Sequence, residues 1–344
     1  MSLVATDIVI PVWNGPVETR ECLAALVEHA PDARLILLDA GGDPETGRVL
    51  HEFAEYLDDR VILLRTGGPA CLVDTLNRGL ALASAPLVIA LRTSSFVTSG
   101  WLEPLQAAAL GPDAGVLVPC LAPAGSLPRP EINRCGMPAE ACRGSFTAIG
   151  ITSRLYREIG GFDGGLDGAY WCLRDYSRRA WQAGFRTLAV EGPPVLYRDR
   201  AVYGSPERRE RILWESMKSY RDRWGEEHGY CFCLAQDPAG EAIDRIFAVA
   251  LEGARRGERF FVLAPSRTYR TIAAAGLHRL HEHIVVERLS RWFPARALRS
   301  AFSAQLEKYP DLQPVTGAEG LCAPGGVTGI PFAELERNFT RGEV

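Results

Sequence analysis

Lysine is almost missing from this chain of 344 residues: of 38 basic residues, only Lys218 and Lys308 are not arginine. That bias fits a GC-rich bacterial genome and carries no functional reading. An excess of either charge is missing too. The formal net charge is −4 and the pI about 6.0, which argues against nucleic acid or an anionic membrane surface as a partner. No apolar run approaches the roughly 20 residues that a membrane-spanning helix needs. The opening "MSLVATDIVIPVW" has neither a basic stretch before its apolar residues nor a small-residue cleavage site. The expectation is a cytoplasmic protein without a membrane span. C-x-x-C pairs are also absent. Nine cysteines, an odd number, are scattered between Cys22 and Cys322, which suits buried thiols better than a disulfide framework.

What is present is apolar residue in quantity, 47% of the chain, enough for one large domain or two. The first 100 residues alternate apolar runs with amphipathic stretches. "TDIVIPVW", "ARLILLDA", "RVILLRT" and "APLVIALRT" read as strands, and "PVETRECLAALVEHA", "PETGRVLHEFAEYL" and "ACLVDTLNRGLALA" as the helices between them. Strands that are apolar throughout are covered on both faces, as in a parallel α/β sheet. Such sheets bind ligands at the carboxyl ends of their strands. The positions that matter are then Pro11 to Asn14, Asp39 to Asp43, Thr66 to Pro69 and Arg92 to Ser95.

From Gly111 to Ala141 proline and glycine accumulate, and the segment reads as a long loop over the site. "GSFTAIGITSRLYREIGGFD" returns to strand and helix, "DYSRRAWQAG" is a helix stopped by Gly184, and "FRTLAVEG" a strand. A long charged helix follows, with Ser205 as N-cap and Pro206 at its first position. Its Ile212, Leu213, Met217, Tyr220 and Trp224 are expected to face the body. A second βαβ rhythm begins at Gly229, in "YCFCLAQ", "GEAIDRIFAVALEGARRG", "RFFVLAP", "SRTYRTIAAAGLHRL", "HIVVERL" and "PARALRSAFSAQLEKY"; the tail after it reads mostly as loop. The organisation expected is a first domain over 1–203, a bridging helix over 204–228 and a smaller α/β domain over 229–344.

Six landmarks occur in order: "VIPVWNG", "LILLDAGGD", "LNRGLALASAPLVIAL", "SGWLEPL", "IGGFDGGLDGAYWCLRDYSRRAWQAGFRT" and "SYRDRWG". Together they resemble the family 2 glycosyltransferases, nucleotide-sugar-dependent enzymes of the GT-A fold. The resemblance implies a Rossmann-like, mostly parallel sheet flanked by helices. It implies a nucleotide-sugar donor held by Pro11, Trp13, Asn14 and Asp39, and an inverting hexosyl transfer. The acceptor, whether glycan, lipid or protein, is not readable, and its specificity falls to the 111–145 loop.

The same resemblance exposes a gap. The family's D-x-D, which binds Mg²⁺ or Mn²⁺ across the donor diphosphate, falls on Arg92 and Ser94 in "LRTSS". Its E-D pair falls on Cys172 and Leu173, and its late histidine on Tyr197. The expectation is therefore that no divalent metal or other cofactor sits at the usual place. Arg92 and Ser94 join the donor-binding set, with Arg92 pairing with phosphate. Asp167 and Asp175 are the carboxylates offered for catalysis, each also suited to a turn or a helix brace. Two readings stand: a metal-independent transferase, or an inactive relative that binds or scaffolds beside an active enzyme.

In the second domain, Ser266 and Arg267 open a helix, and "APGGVTG" near Gly325 follows no clear strand. His278, His281 and His283 cluster in "LHRLHEH", with no further ligand to complete a zinc site. Acceptor recognition, homodimerisation and docking of a protein partner all remain open for this domain.

Overall fold

The computed structural model describes residues 4–66, 71–125, 139–198, 205–235, 238–290, 294–322 and 329–340. The chain divides into two units. One comprises residues 1–137 and 143–224; the other takes 138–142 together with 225–344.

In the first unit the expected βαβ succession runs through β1 (Thr6–Val12), α1 (Pro16–His29), β2 (Arg34–Asp39), α2 (Pro44–Leu57), β3 (Val61–Arg65), α3 (Leu72–Leu82) and β4 (Leu87–Leu91). It continues with β5 (Ser95–Phe96), α4 (Leu102–Ala109), β6 (Ala114–Pro123), β7 (Ala148–Thr152), α5 (Ser153–Ile159), α6 (Tyr170–Gln182), β8 (Arg186–Tyr197) and α7 (Pro206–Trp224). The sheet order is β3-β2-β1-β4-β7-β6-β8-β5. β7 is antiparallel to both neighbours and β5 to β8; every other pairing is parallel.

Alternation along each strand splits the core into two layers. Ile8, Ile10, Leu35 and Leu37 face the cluster that includes Leu23 and Leu26 of α1 and Leu105 of α4. Val9, Ile36 and Leu38 face the one that includes Leu76 of α3, Leu155 of α5 and Tyr176 of α6. Gly79 is fixed by this packing, since a Cβ there would fall 2.3 Å from Val9 Cγ1 and 2.7 Å from Leu38 Cδ1.

Several expectations change. The 111–141 segment is not loop throughout, because residues 114–123 form β6. Residues 126–138 of that segment lie outside the described residues, as do 67–69 and, in "APGGVTG", Gly325 and Gly326. The helix read from Asp175 begins at Tyr170. The charged helix, expected as a bridge, falls within the first unit as α7. Ser205 Oγ accepts the Arg208 N–H at 3.2 Å, as its N-cap role requires. Leu213 does not face the body; it is 45% exposed, whereas Tyr220 is buried.

The second unit holds β9 (Gly229–Cys233), α8 (Gly240–Arg255), β10 (Arg259–Ala264), α9 (Ser266–Ala274), β11 (Ile284–Arg288), α10 (Pro294–Lys308), β12 (Gln313–Thr316), β13 (Ile330–Pro331) and α11 (Phe332–Thr340). Its five strands, ordered β11-β10-β9-β12-β13, are all parallel. The tail is thus not mostly loop. α11 buries Phe332, Leu335 and Phe339, a helical spacing, against a core shared with Phe247 and Phe260. Ser266 does not cap α9; its hydroxyl donates to Leu289 O at 2.8 Å. The helical stretch "SRTYRTIAAAGLHRL" is interrupted, because α9 ends at Ala274 and Leu277–Arg279, which carries His278, is a separate single turn.

Candidate active site

β1 pairs with β2 on one side and β4 on the other, all parallel. The carboxyl ends of these three strands therefore share one edge, and Asp39, Trp13 and Arg92 follow along it. The first two turns are locked to each other. Asn14 Oδ1 accepts the Asp43 N–H at 3.0 Å. Gly42 is obligatory, since a Cβ there would lie 1.5 Å from the carbonyl oxygen of Trp13. Asp43 in turn caps α2, accepting from Glu45 N and Thr46 N.

Asp39 is 8% exposed. Its Oδ1 accepts the Gly41 N–H at 3.1 Å and its Oδ2 the Arg65 Nε–H at 3.2 Å. Each oxygen retains a second lone pair for a further donor. Trp13 is half-buried and Asn14 exposed. Pro11, by contrast, is buried inside β1, opposite Leu38; it shapes the strand end and offers no surface to a ligand.

The "LRTSS" stretch leaves β4 and enters β5. Arg92 is exposed, with its N–H donating to Thr147 O at 3.3 Å. Ser94 is 7% exposed, and its carbonyl accepts the Arg198 N–H at 3.0 Å. Tyr197 pairs directly with Ser95 across β5 and β8. The place of the family's late histidine thus lies beside that of its D-x-D.

Arg92 opens into a cleft of about 800 Å³ whose other walls are the start of α3 at Cys71 to Val73, the turn from Gly164 to Ala169 and the first half of α7. Asp167 lies in the turn that forms one of these walls, so the fold brings these two candidates to one cavity. Asp167 also works locally: Oδ1 accepts from Ala169 N, Trp171 N and Cys172 N, each at 3.1 Å, which caps α6. Two "landmark" segments meet nearby for a plain reason. Asn77 of α3 exchanges two hydrogen bonds with Phe162, at 2.9 and 2.8 Å. Gly161 must lack a side chain, because a Cβ would fall 2.3 Å from Asn77 Oδ1.

Asp175 does not join this cleft. It is fully buried and accepts from Arg179 Nε at 2.8 Å, Arg223 Nη1 at 2.6 Å and Trp224 Nε1 at 3.0 Å. It braces α6 against α7. Neighbouring Asp163 takes Arg223 Nη2 at 2.7 Å. The Gly165 N–H first, and Arg223 after it, hold the Asp163 carboxyl below its usual range.

A hard divalent cation needs oxygen donors, carboxylates foremost. The positions matched to the family's ligands supply a guanidinium (Arg92), a buried hydroxyl (Ser94), a buried thiol (Cys172), a leucine (Leu173) and a phenol (Tyr197). Burial pushes the Cys172 thiol up to about 12, so it stays protonated at neutral pH. This donor set does not fit Mg²⁺ or Mn²⁺. Sequence reasoning missed one carboxylate. Glu210 of α7 lines the same cleft, and only the packing of α7 reveals it.

Residues 7–140 match the model of glycosyl transferase family 2. This stretch is a family 2 glycosyltransferase domain. No curated protein matches the chain. Among solved structures, GalNAc-T7, determined with UDP, GalNAc and Mn²⁺, aligns over 64% of this chain at 17% identity with a TM-score of 0.50. The chain spans half the length of that protein. The mannosyltransferase PcManGT from Pyrobaculum calidifontis, in complex with GDP-Man and Mn²⁺, aligns over 90% of this chain and 82% of its own at 15% identity, TM-score 0.49. S. aureus TarS (1–349) aligns over 63% and 72% at 12% identity, TM-score 0.46. The GalNAc-T7 likeness speaks for a GT-A fold.

Proposed function

We propose that the first unit binds a nucleotide sugar along the carboxyl ends of β1, β2 and β4 and transfers the sugar to an acceptor hydroxyl without a divalent metal. The family 2 domain over residues 7–140 supports donor binding. The observation that carries metal independence is Arg92, exposed at the end of β4 and opening into the cleft. A guanidinium there can make bidentate, charge-assisted bonds to a diphosphate and stabilise it as the leaving group. Trp13 supplies a face for the base and Asp39 accepts from ribose hydroxyls. In an inverting displacement the acceptor oxygen bonds to the anomeric carbon as the bond to the diphosphate breaks, and a carboxylate takes the acceptor proton. Asp167 is the carboxylate we assign to that role. Transfer measured with and without EDTA tests the reading. Retained turnover is expected, together with a 10- to 100-fold loss of donor affinity in Arg92→Ala, of the order of a charge-assisted hydrogen bond. Turnover abolished by EDTA and restored by Mn²⁺ would overturn it.

One observation favours a second reading, donor binding without turnover. Asp175 is committed to arginines and Asp167 to three backbone amides, which leaves no carboxylate of the original set without structural duty. Calorimetry that detects a nucleotide sugar, with no transfer or hydrolysis of it, would select this reading.

A further inference from the structure

Three metal-ligating side chains from distant parts of the sequence meet in the second unit. Cys142 Sγ, a Glu282 carboxylate oxygen and a His283 ring nitrogen all lie within 4.8 Å of one another. The backbone brings them there. Ala139 N–H donates to Arg279 O at 2.6 Å, Glu140 N–H to Leu280 O at 3.0 Å and Glu282 N–H back to Glu140 O at 3.0 Å. Arg255 holds the Glu140 carboxylate, its Nε 2.8 Å from Oε2. Residue 142 is therefore delivered beside residues 282 and 283 by a paired, anchored segment.

Hydrogen bonds hold two of the three side chains. His283 Nδ1 lies 3.1 Å from both Gly257 O and Glu258 O. Carbonyl oxygens only accept, so Nδ1 carries the proton and Nε2 the lone pair. That is the arrangement in which a metal-ligating histidine is held by its outer partners. The Cys142 N–H donates to Glu282 Oε1 at 2.7 Å, fixing the carboxylate beside its own sulfur. Buried His281 braces the backbone from behind, its Nδ1 accepting the His283 N–H at 3.0 Å.

We propose that Cys142, Glu282 and His283 form a zinc site with a fourth position for water or a further ligand. The ligand types choose the metal: thiolate and imidazole favour Zn²⁺ over Mg²⁺, Ca²⁺ or Mn²⁺. Bond lengths of about 2.0–2.3 Å in a tetrahedron put ligand atoms roughly 3.3–3.8 Å apart, so the cluster closes on the ion by about an ångström. None of its residues belongs to the donor-binding or catalytic set assigned above.

Zinc content is read on untagged full-length protein by competition with a chromogenic chelator, and the Co²⁺ form by its absorption spectrum. One equivalent of Zn²⁺ is expected, with a thiolate-to-cobalt charge-transfer band in the near ultraviolet. Cys142→Ser should lose the band and at least 100-fold in affinity, and Glu282→Gln, at an exposed position, should lose 10-fold or more while its circular dichroism is unchanged. Cys322→Ser should bind as the parent does. Failure of the parent to compete with the chelator, or binding that survives Cys142→Ser and Glu282→Gln, or that disappears with Cys322→Ser, overturns the site.

Discussion

Arg223 Nη1 donates to Asp175 Oδ1 at 2.6 Å across 48 residues of sequence, and Trp224 Nε1 reaches the same oxygen at 3.0 Å. The carboxylate that looked available for chemistry is thereby a tie between α6 and α7. Removing its charge weakens the bonds that a fully buried carboxylate makes to the partly exposed Arg179 and Arg223 and to an indole N–H. Asp175→Asn is expected to cost roughly 3 kcal/mol, since three hydrogen bonds to a buried carboxylate are lost or weakened. Melting should fall by about 10 °C, while transfer by protein still folded at low temperature stays near the parent's. A large loss of turnover with unchanged melting would return Asp175 to the list of catalytic groups.

How much of this was legible beforehand depends on the range of the interaction. β1 to β4 and their helices could be read because each strand is apolar throughout and each helix has its own cap or proline. β6 could not, because Pro119 and Pro123 mimic a loop. The strand tolerates Pro119 at a register shift in its pairing with β8, between Pro119 and Leu121, where a ladder N–H is dispensable. α11 was hidden for a different reason, as its buried Phe332, Leu335 and Phe339 follow a glycine-rich run that looks structureless. The cleft joining Arg92 to Asp167 follows from sheet order, which local pattern does not encode. Glu210 and the meeting of Cys142 with Glu282, 140 residues apart, have no sequence signal at all.

Gly42 gives a direct handle on the nucleotide edge. In Gly42→Ala the new methyl must displace the Trp13 carbonyl, a backbone atom 1.5 Å from the ideal Cβ. The turn carrying Trp13 and Asn14 should shift, at a cost on the order of 1–3 kcal/mol. Donor affinity by calorimetry should drop with it. Gly47→Ala, where nothing lies within 4 Å of the added Cβ, is the matched control and should leave both quantities unchanged or slightly improved.

Acid stability should report on Asp7. Burial pushes its carboxyl up, but Arg34, which binds both oxygens at 2.9 and 2.6 Å, and the N–H groups of Ala85 and Ser84 outweigh it and hold the group below its ordinary value. A folded-state value below the unfolded one means stability that is fully present above about pH 4, the unfolded carboxylate's range. It is lost as the pH falls through the folded-state value. Urea midpoints from pH 6 to pH 3 should show the parent losing stability below pH 4. Asp7→Asn should start roughly 3 kcal/mol lower, and the gap between the two should narrow toward acid. A gap that is constant across the range would mean the charge of Asp7 is irrelevant.

The base assignment separates most sharply on two amides in one cleft. Asp167→Asn keeps an oxygen that can accept from the amides at the start of α6, and asparagine caps helices about as well as aspartate, so the fold should hold within about 1 kcal/mol. What the amide cannot do is take a proton. Turnover should fall by about 10²- to 10⁴-fold, the usual worth of a general base, with donor affinity unchanged. Glu210→Gln, on α7 in the same cleft, should leave turnover within a few fold. The reverse pattern would move the base to α7. No effect from either, in a protein that does turn over, would mean that neither cleft carboxylate takes the acceptor's proton.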